Sequence, residues 1–235
     1  MTQTRKDSEI PWLSVLAYAG PFALFLIGIA AAQGFGSLWK DSENLLLRTP
    51  AYWVFPLQTA ACAALLLFFW RYYSFGSQRA VPLGIGVGVL VFILWISPQA
   101  FFGQPARTDG FNPEPLASSP LLYWTTIAAR FLRLAVVVPL VEEIFWRGFL
   151  QRFLIKEQFT TVPFGTYTHL SFWAVAVAFT FEHSQPDWPA AFITGALYGW
   201  VAVRTKSLLA CVVAHGVTNL LLGGYIVLTR QWGFW

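Results

Sequence analysis

Three short motifs in the second half of the chain bring acid–base side chains together at helical spacing. In VEEIFWRGFLQRF, residues 141–153, Glu143 and Arg147 are four apart and share one helix face as an ion pair. Glu142, rotated ~100° from its neighbour by the helical period, points elsewhere and lacks that counter-charge. A carboxylate without a local cation in apolar surroundings is suited to taking and giving a proton near neutrality. In FTFEHSQPDW, residues 179–188, His183 closes an apolar helix four residues after Phe179. In HGVTN, His215 and Asn219 are again four apart, on one side of the last apolar run. The third histidine, His169, stands at the start of a span and is the plainer one. Each motif alone has a structural explanation: Glu143 with Arg147 fixes helix register, and His215 with Asn219 makes interhelical hydrogen bonds. Jointly, one free glutamate, two histidines and an asparagine make a general base with hydrogen-bond donors, the minimum for hydrolysing an amide inside a membrane cavity.

The setting of these residues gives them weight. Of 235 residues 57% are hydrophobic and 11% charged, against ~45–50% and ~25% in ordinary soluble domains. Residues 10–39, 49–70, 80–106, 158–181 and 207–229 contain no Asp, Glu, Lys or Arg, and ~20 apolar residues suffice to cross a bilayer. The reading is an all-α, polytopic membrane protein with about seven, or eight, transmembrane helices. The expected spans are 11–32, 51–70, 81–102, 120–141 with a helical extension to about 155, 168–181, 188–203 and 207–228. A charge at the bilayer centre costs from ~3 to more than ~10 kcal/mol, so ionisable residues inside spans are functional candidates.

The stretch GQPARTDGFNPEPLASSP, residues 103–120, reads as the main extramembrane loop. It separates residues 1–119, N-terminal helices and connecting loop, from 120–235, the polar helical core. Arg130 and Arg133 sit near mid-membrane if the fourth helix starts at Pro120. Either they snorkel or pair inside the bundle, or the span is 134–155. Arg5, Lys6, Arg71, Arg79, Arg152, Lys156, Arg204 and Lys206 fall on one side, against Lys40, Arg48, Arg107 and Arg230 on the other. This places the N-terminus in the cytoplasm. The run from residue 11 is too long for a signal-peptide core and is read as a retained span. The net charge of +4 is scattered rather than striped, which excludes nucleic acid as a partner and leaves membrane lipid. Cys62 and Cys211 lie in apolar runs and form neither a disulfide framework nor a cysteine zinc site. GIGVG, residues 84–88, lacks the context of a phosphate loop and reads, like Gly195 and Gly199 in GALYG, as a small-residue packing face.

Glu142-Glu143-x-x-x-Arg147, Phe179-x-x-x-His183 and His215-x-x-x-Asn219, in that order, resemble the three motifs of the CAAX protease and bacteriocin-processing family, which includes the type II CAAX prenyl endopeptidases. The resemblance covers residues 120 to about 228. VPLVEEIFWRGFLQRFL and FEHSQPDWPAAFITGALYGW further resemble CAAX protease-related proteins associated with bacterial exosortase systems. The resemblance implies an intramembrane endopeptidase of a bacterial inner membrane acting on a membrane-associated protein or peptide. It implies that Glu142 and His183 activate water, that His215 and Asn219 stabilise the oxyanion, and that Glu143 and Arg147 brace the helix. One preorganised oxyanion donor contributes ~2.7–4 kcal/mol. A metal-free mechanism is favoured, because no H-E-x-x-H spacing is present and Asn is an uncommon zinc ligand. A zinc ion would take Glu142, His183 and His215 as ligands. Two other functions fit the same residues: a non-catalytic immunity or scaffold protein, and a small proton-coupled transporter, although the inverted repeats of transporters are missing. The enzyme reading expects Glu142, His183, His215 and Asn219 to converge on one cavity open to the cytoplasmic side.

Overall fold

The computed structural model describes residues 12–235; Arg5, Lys6 and the start of the first apolar run at residue 11 lie outside the described residues. The expected apolar runs form seven helices: α1 Trp12–Leu38, α2 Ala51–Phe68, α3 Val81–Phe101, α4 Pro120–Phe153, α5 His169–Phe181, α6 Trp188–Thr205 and α7 Leu208–Thr229. No strand occurs among the described residues. Helices α1, α2, α4, α7 and α3 with the turn before it are long and apolar enough to cross a membrane. The protein is an integral membrane protein. Helix α5, with 13 residues, measures only ~20 Å at 1.5 Å per residue and falls short of the ~30 Å hydrocarbon core.

Small residues decide which helices approach closely. A Cβ at Gly84 would lie 2.5 Å from Ala210 O, and one at Gly88 2.5 Å from Ala214 O, so α3 lies against the α7 backbone where a side chain would collide. This is the packing role the GIGVG pattern predicts. Gly195 and Gly199 act likewise between α6 and α5, facing the Ala176 backbone and the Phe172 ring.

Helix α4 is continuous over 34 residues, more than the ~20 that a span needs. Both arginines are buried inside the bundle, at 6% and 5% exposure. Two π-helical segments, Arg133–Val137 and Ile144–Leu150, interrupt its α-helical hydrogen bonding. Pro139 explains the first. Its ring clashes with the carbonyl four residues earlier, and a widened turn relieves that clash. Within this turn Val138 N–H donates to Arg133 O, five residues back. The matching donor for Leu134 O would be residue 139, a proline with no N–H. Asn219 Nδ2 on α7 fills that position at 2.8 Å.

The connections gather on two faces. On one, Arg107 N–H donates to Gln231 Oε1 at 3.2 Å, Gly233 N–H donates to Arg107 O at 2.9 Å, and the Arg107 guanidinium is paired with Asp187. Residues 102–119, 182–187 and 230–235 are therefore tied together. On the opposite face, Ser207 Oγ reaches Phe75 O and Ser77 O at 3.1 and 3.0 Å, and Lys206 Nζ donates to Gly165 O.

Candidate active site

The two interruptions of α4 flank its turn Val138–Glu143, which carries both motif glutamates. Arg147 Nη1 donates to Glu143 Oε1 at 3.0 Å with both side chains fully buried, and Arg147 Nη2 donates to Gly195 O at 3.0 Å. The ion pair expected from the i, i+4 spacing thus also fastens α4 to α6. Gly195 brings that carbonyl within reach by letting α5 and α6 close up. The guanidinium lies between the rings of Phe179 and Tyr198, 5.1 and 5.7 Å from their centroids.

Glu143 Oε1 also meets His215 Nδ1 at 3.1 Å. A carboxylate oxygen only accepts, so Nδ1 carries the proton and the lone pair of neutral His215 is on Nε2. Tyr198 flanks the ring at 5.3 Å, and its hydroxyl donates to Thr218 Oγ1 at 2.7 Å. His183 repeats the arrangement by other means. Its Nδ1 lies 2.9 Å from Phe179 O, a pure acceptor, so its Nε2 also holds a lone pair. Phe179 and Trp95 bracket the His183 ring at 4.8 and 5.5 Å. In the turn beyond α5, burial is the main influence on this imidazole and lowers its pKa below the ordinary value, so it is neutral at pH 7.

Glu142, His183, His215 and Asn219 all line one cavity of about 350 Å³. Glu142 is buried, and its Oε2 has no hydrogen-bond partner. The freed Leu134 carbonyl occupies one N–H of Asn219 and leaves the second uncommitted. Phe25, Ile29, Phe55 and Trp95 from the first three helices complete the wall, so residues on both sides of position 120 build the site. His169 stands apart, exposed and hydrogen-bonded to Tyr167.

Four further charged residues, Glu182, Arg130, Arg133 and Asp187, line the cavity without having been singled out as site residues by spacing. Glu182 Oε2 accepts from Trp146 Nε1 at 3.2 Å, while its Oε1 has no partner. Burial pushes its carboxyl up to about 7, against the lowering effect of the Trp146 hydrogen bond. Its signal was available: it is the first charge after a long charge-free run, directly before His183. Arg130 and Arg133 were noticed only as a problem of helix placement. They lie toward the outer end of the cavity with Asp187, Phe234 and Trp235.

That end of the cavity sets two expectations against each other. The lining residues reach the face formed by 102–119, 182–187 and 230–235, and none comes from the connections of the opposite face. The opposite face carries Arg71, Arg79, Lys156, Arg204 and Lys206, the basic set assigned to the cytoplasm. The cavity therefore opens away from the side on which the Lys and Arg bias places the cytoplasm. The cause is α5, whose direction puts His183 at its far end.

Among the described residues, no group of three His, Cys, Asp or Glu side chains is placed to hold a metal ion.

Residues 123–221 match the family model of type II CAAX prenyl endopeptidase Rce1-like proteins. This part of the chain is similar to the CAAX protease family. The matched segment begins inside α4, ends inside α7, and contains Glu142, Glu143, Arg147, His183, His215 and Asn219. No curated protein and no solved structure matches the chain. The family is one of membrane endopeptidases, and the three-motif order read from the sequence falls wholly within its CAAX protease-like region.

Proposed function

We propose that this chain is an intramembrane endopeptidase that cleaves a membrane-associated protein or peptide with a water activated by Glu142 and His183. The observation that carries this reading is Glu142, a buried carboxylate with an unpartnered oxygen in the same cavity as His183, His215 and Asn219. Water held between the Glu142 carboxylate and the lone pair on His183 Nε2 loses a proton to Glu142 as its oxygen attacks the peptide carbonyl. The oxyanion that forms is received by the second N–H of Asn219 and by His215 when its Nε2 carries a proton. Glu142 then returns the proton to the leaving amine, and the peptide bond breaks. Glu143 and Arg147 touch no reacting atom in this scheme and hold α4, α6 and His215 in register.

The mechanism needs no metal ion. The positive-inside bias supports a bacterial cytoplasmic membrane with the N-terminus in the cytoplasm, so the cavity would receive its substrate from the outer face. A surface protein sorted by an exosortase-type system is a substrate class consistent with that side. The test is processing of a candidate substrate by full-length protein in nanodiscs. Glu142→Gln keeps the shape but cannot accept the proton, so cleavage should vanish while the protein still folds, and wild-type cleavage should survive strong chelator. Full cleavage by Glu142→Gln would overturn the assignment. Activity lost with chelator and restored by zinc would recast Glu142, His183 and His215 as ligands.

A further inference from the structure

A cleft of about 440 Å³ opens on the basic face, where the start of α3 meets the end of α6. Arg79 and Arg204 line it, both exposed, and among the described residues neither guanidinium has an ion pair or a hydrogen bond. Other arginines of the bundle are matched by acids: Arg147 by Glu143, Arg107 by Asp187 and Arg230 by Glu114. The two helices repeat one arrangement around the cleft. Arg79 lies in the 3-10 turn that leads into α3, four residues before Leu83, and Arg204 ends α6 four residues after Trp200. Each cation thus stands at the end of an apolar span, with an apolar side chain about one turn deeper on the same face. Leu83 and Trp200 line the same cleft and are 37% and 44% exposed. The backbone holds the two sides in place. Ser207 Oγ donates to Ser77 O at 3.0 Å, and a Cβ at Gly76 would lie 2.9 Å from Ser207 Cα, so the segment carrying Arg79 is fastened to the turn after Arg204. Beneath them Val87 and Val91 of α3 pack with Tyr198, Val201 and Ala202 of α6. Ser77 Oγ accepts from Arg79 N–H at 3.2 Å and keeps its own proton to donate.

We propose that this cleft binds the headgroup of an anionic phospholipid, its phosphodiester between Arg79 and Arg204 and an acyl chain along Leu83 and Trp200. A guanidinium fork takes phosphate oxygens in bidentate geometry. The Lys and Arg bias places this face in the cytoplasm, where the leaflet is negative and basic pockets between membrane helices suit such headgroups. The apolar floor selects lipid over a soluble anion. Free phosphate would engage the arginines and leave Leu83 and Trp200 uncovered, whereas a lipid covers both with hydrocarbon, and Trp favours the depth of the headgroups. Net charge selects among lipids. A zwitterionic headgroup brings a cation of its own into a cleft lined by two arginines and no carboxylate. A lipid held there ties α3 to α6, the helix whose Gly195 carbonyl receives Arg147.

The test titrates the full chain in detergent with dioleoylphosphatidylglycerol or dioleoylphosphatidylcholine and reads binding of the first lipid by native mass spectrometry. Wild type should bind phosphatidylglycerol about 10-fold or more tightly than phosphatidylcholine, the discrimination that two arginines at the headgroup supply. A double variant, Arg79→Gln with Arg204→Gln, should bind the two lipids alike. Arg71→Gln, which removes an exposed arginine of the same face outside the cleft, should keep the preference. Equal affinity of the wild type for the two lipids overturns the site, and that comparison stands even if the double variant does not fold. A preference that survives in the double variant, or falls as far in Arg71→Gln, assigns the attraction to the charge of the whole face and overturns the cleft as its source. Displacement of bound phosphatidylglycerol by inorganic phosphate assigns the arginine pair to a soluble anion, with the same result.

Discussion

Glu142 and Glu143 are neighbours in sequence with opposite surroundings, and the difference comes from one helical step. Glu143 accepts on Oε1 from Arg147 and His215 and lies outside the cavity lining, its Oε2 unpartnered, whereas Glu142 lines the cavity with its open oxygen. Arg147→Ala should strand the Glu143 carboxylate in a fully buried site, a loss of ~3–5 kcal/mol. It should be visible as a fall in folded protein recovered from the membrane, with Glu142→Gln recovered at wild-type levels. Glu182 offers a pH test. Its folded pKa is pushed up to about 7 from the ordinary carboxylate value, 4.5, chiefly by burial. Between those values the folded state binds the proton more tightly than the unfolded state does, so this group makes stability decline as pH rises through the window. Glu182→Gln removes that decline. The melting temperature of the variant relative to wild type should rise from pH 4.5 to about 7 and then level off; an offset independent of pH would refute the assignment.

At the scale of elements, the site depends on two departures from regular helix. The π turn forced by Pro139 frees the carbonyl that orients Asn219, and the shortness of α5 ends that helix where His183 must be. The glycine face of α3 works at one remove. A Cβ at Gly88 would lie 2.5 Å from Ala214 O, next to His215, while Gly86 has nothing within 4 Å. Gly88→Leu should therefore lower stability by about 1–3 kcal/mol or more through overpacking, and Gly86→Leu should be neutral. Melting curves of the two variants in one detergent check this. Similar losses for both would mean that α3 does not approach α7 as described.

At the scale of the whole molecule, the chain alternates faces with each helix, and one face carries the cavity's outer end together with the Arg107–Asp187 pair. With the basic face in the cytoplasm, a cysteine placed at Asp109 should react from outside intact cells with a membrane-impermeant maleimide, and one at Lys156 should not. The native thiols Cys62 and Cys211 are buried and leave the background low. The reverse labelling pattern would turn the molecule over and restore a cytoplasmic cavity.

Helical class, membrane residence and the motif residues were legible in the chain itself, because long charge-free runs admit one solution in lipid and i, i+4 spacing puts Glu143 beside Arg147, and His215 in line with Asn219, on any helix. Arg130 and Arg133 show where this reading ends. Spacing along one helix says nothing of what a long side chain meets across the bundle, and the packing of α2 and of residues 102–119 and 230–235 surrounds Arg130 with aromatic rings. The position of Glu182 after a charge-free run was visible in the chain, but its partner Trp146, 36 residues away on another helix, was not. The partnership of His215 with Glu143, the π turn answered by Asn219 and the face on which the cavity opens are likewise tertiary. Each depends on which helices lie side by side and in which direction they run, and a one-dimensional pattern of apolar residues leaves both undetermined.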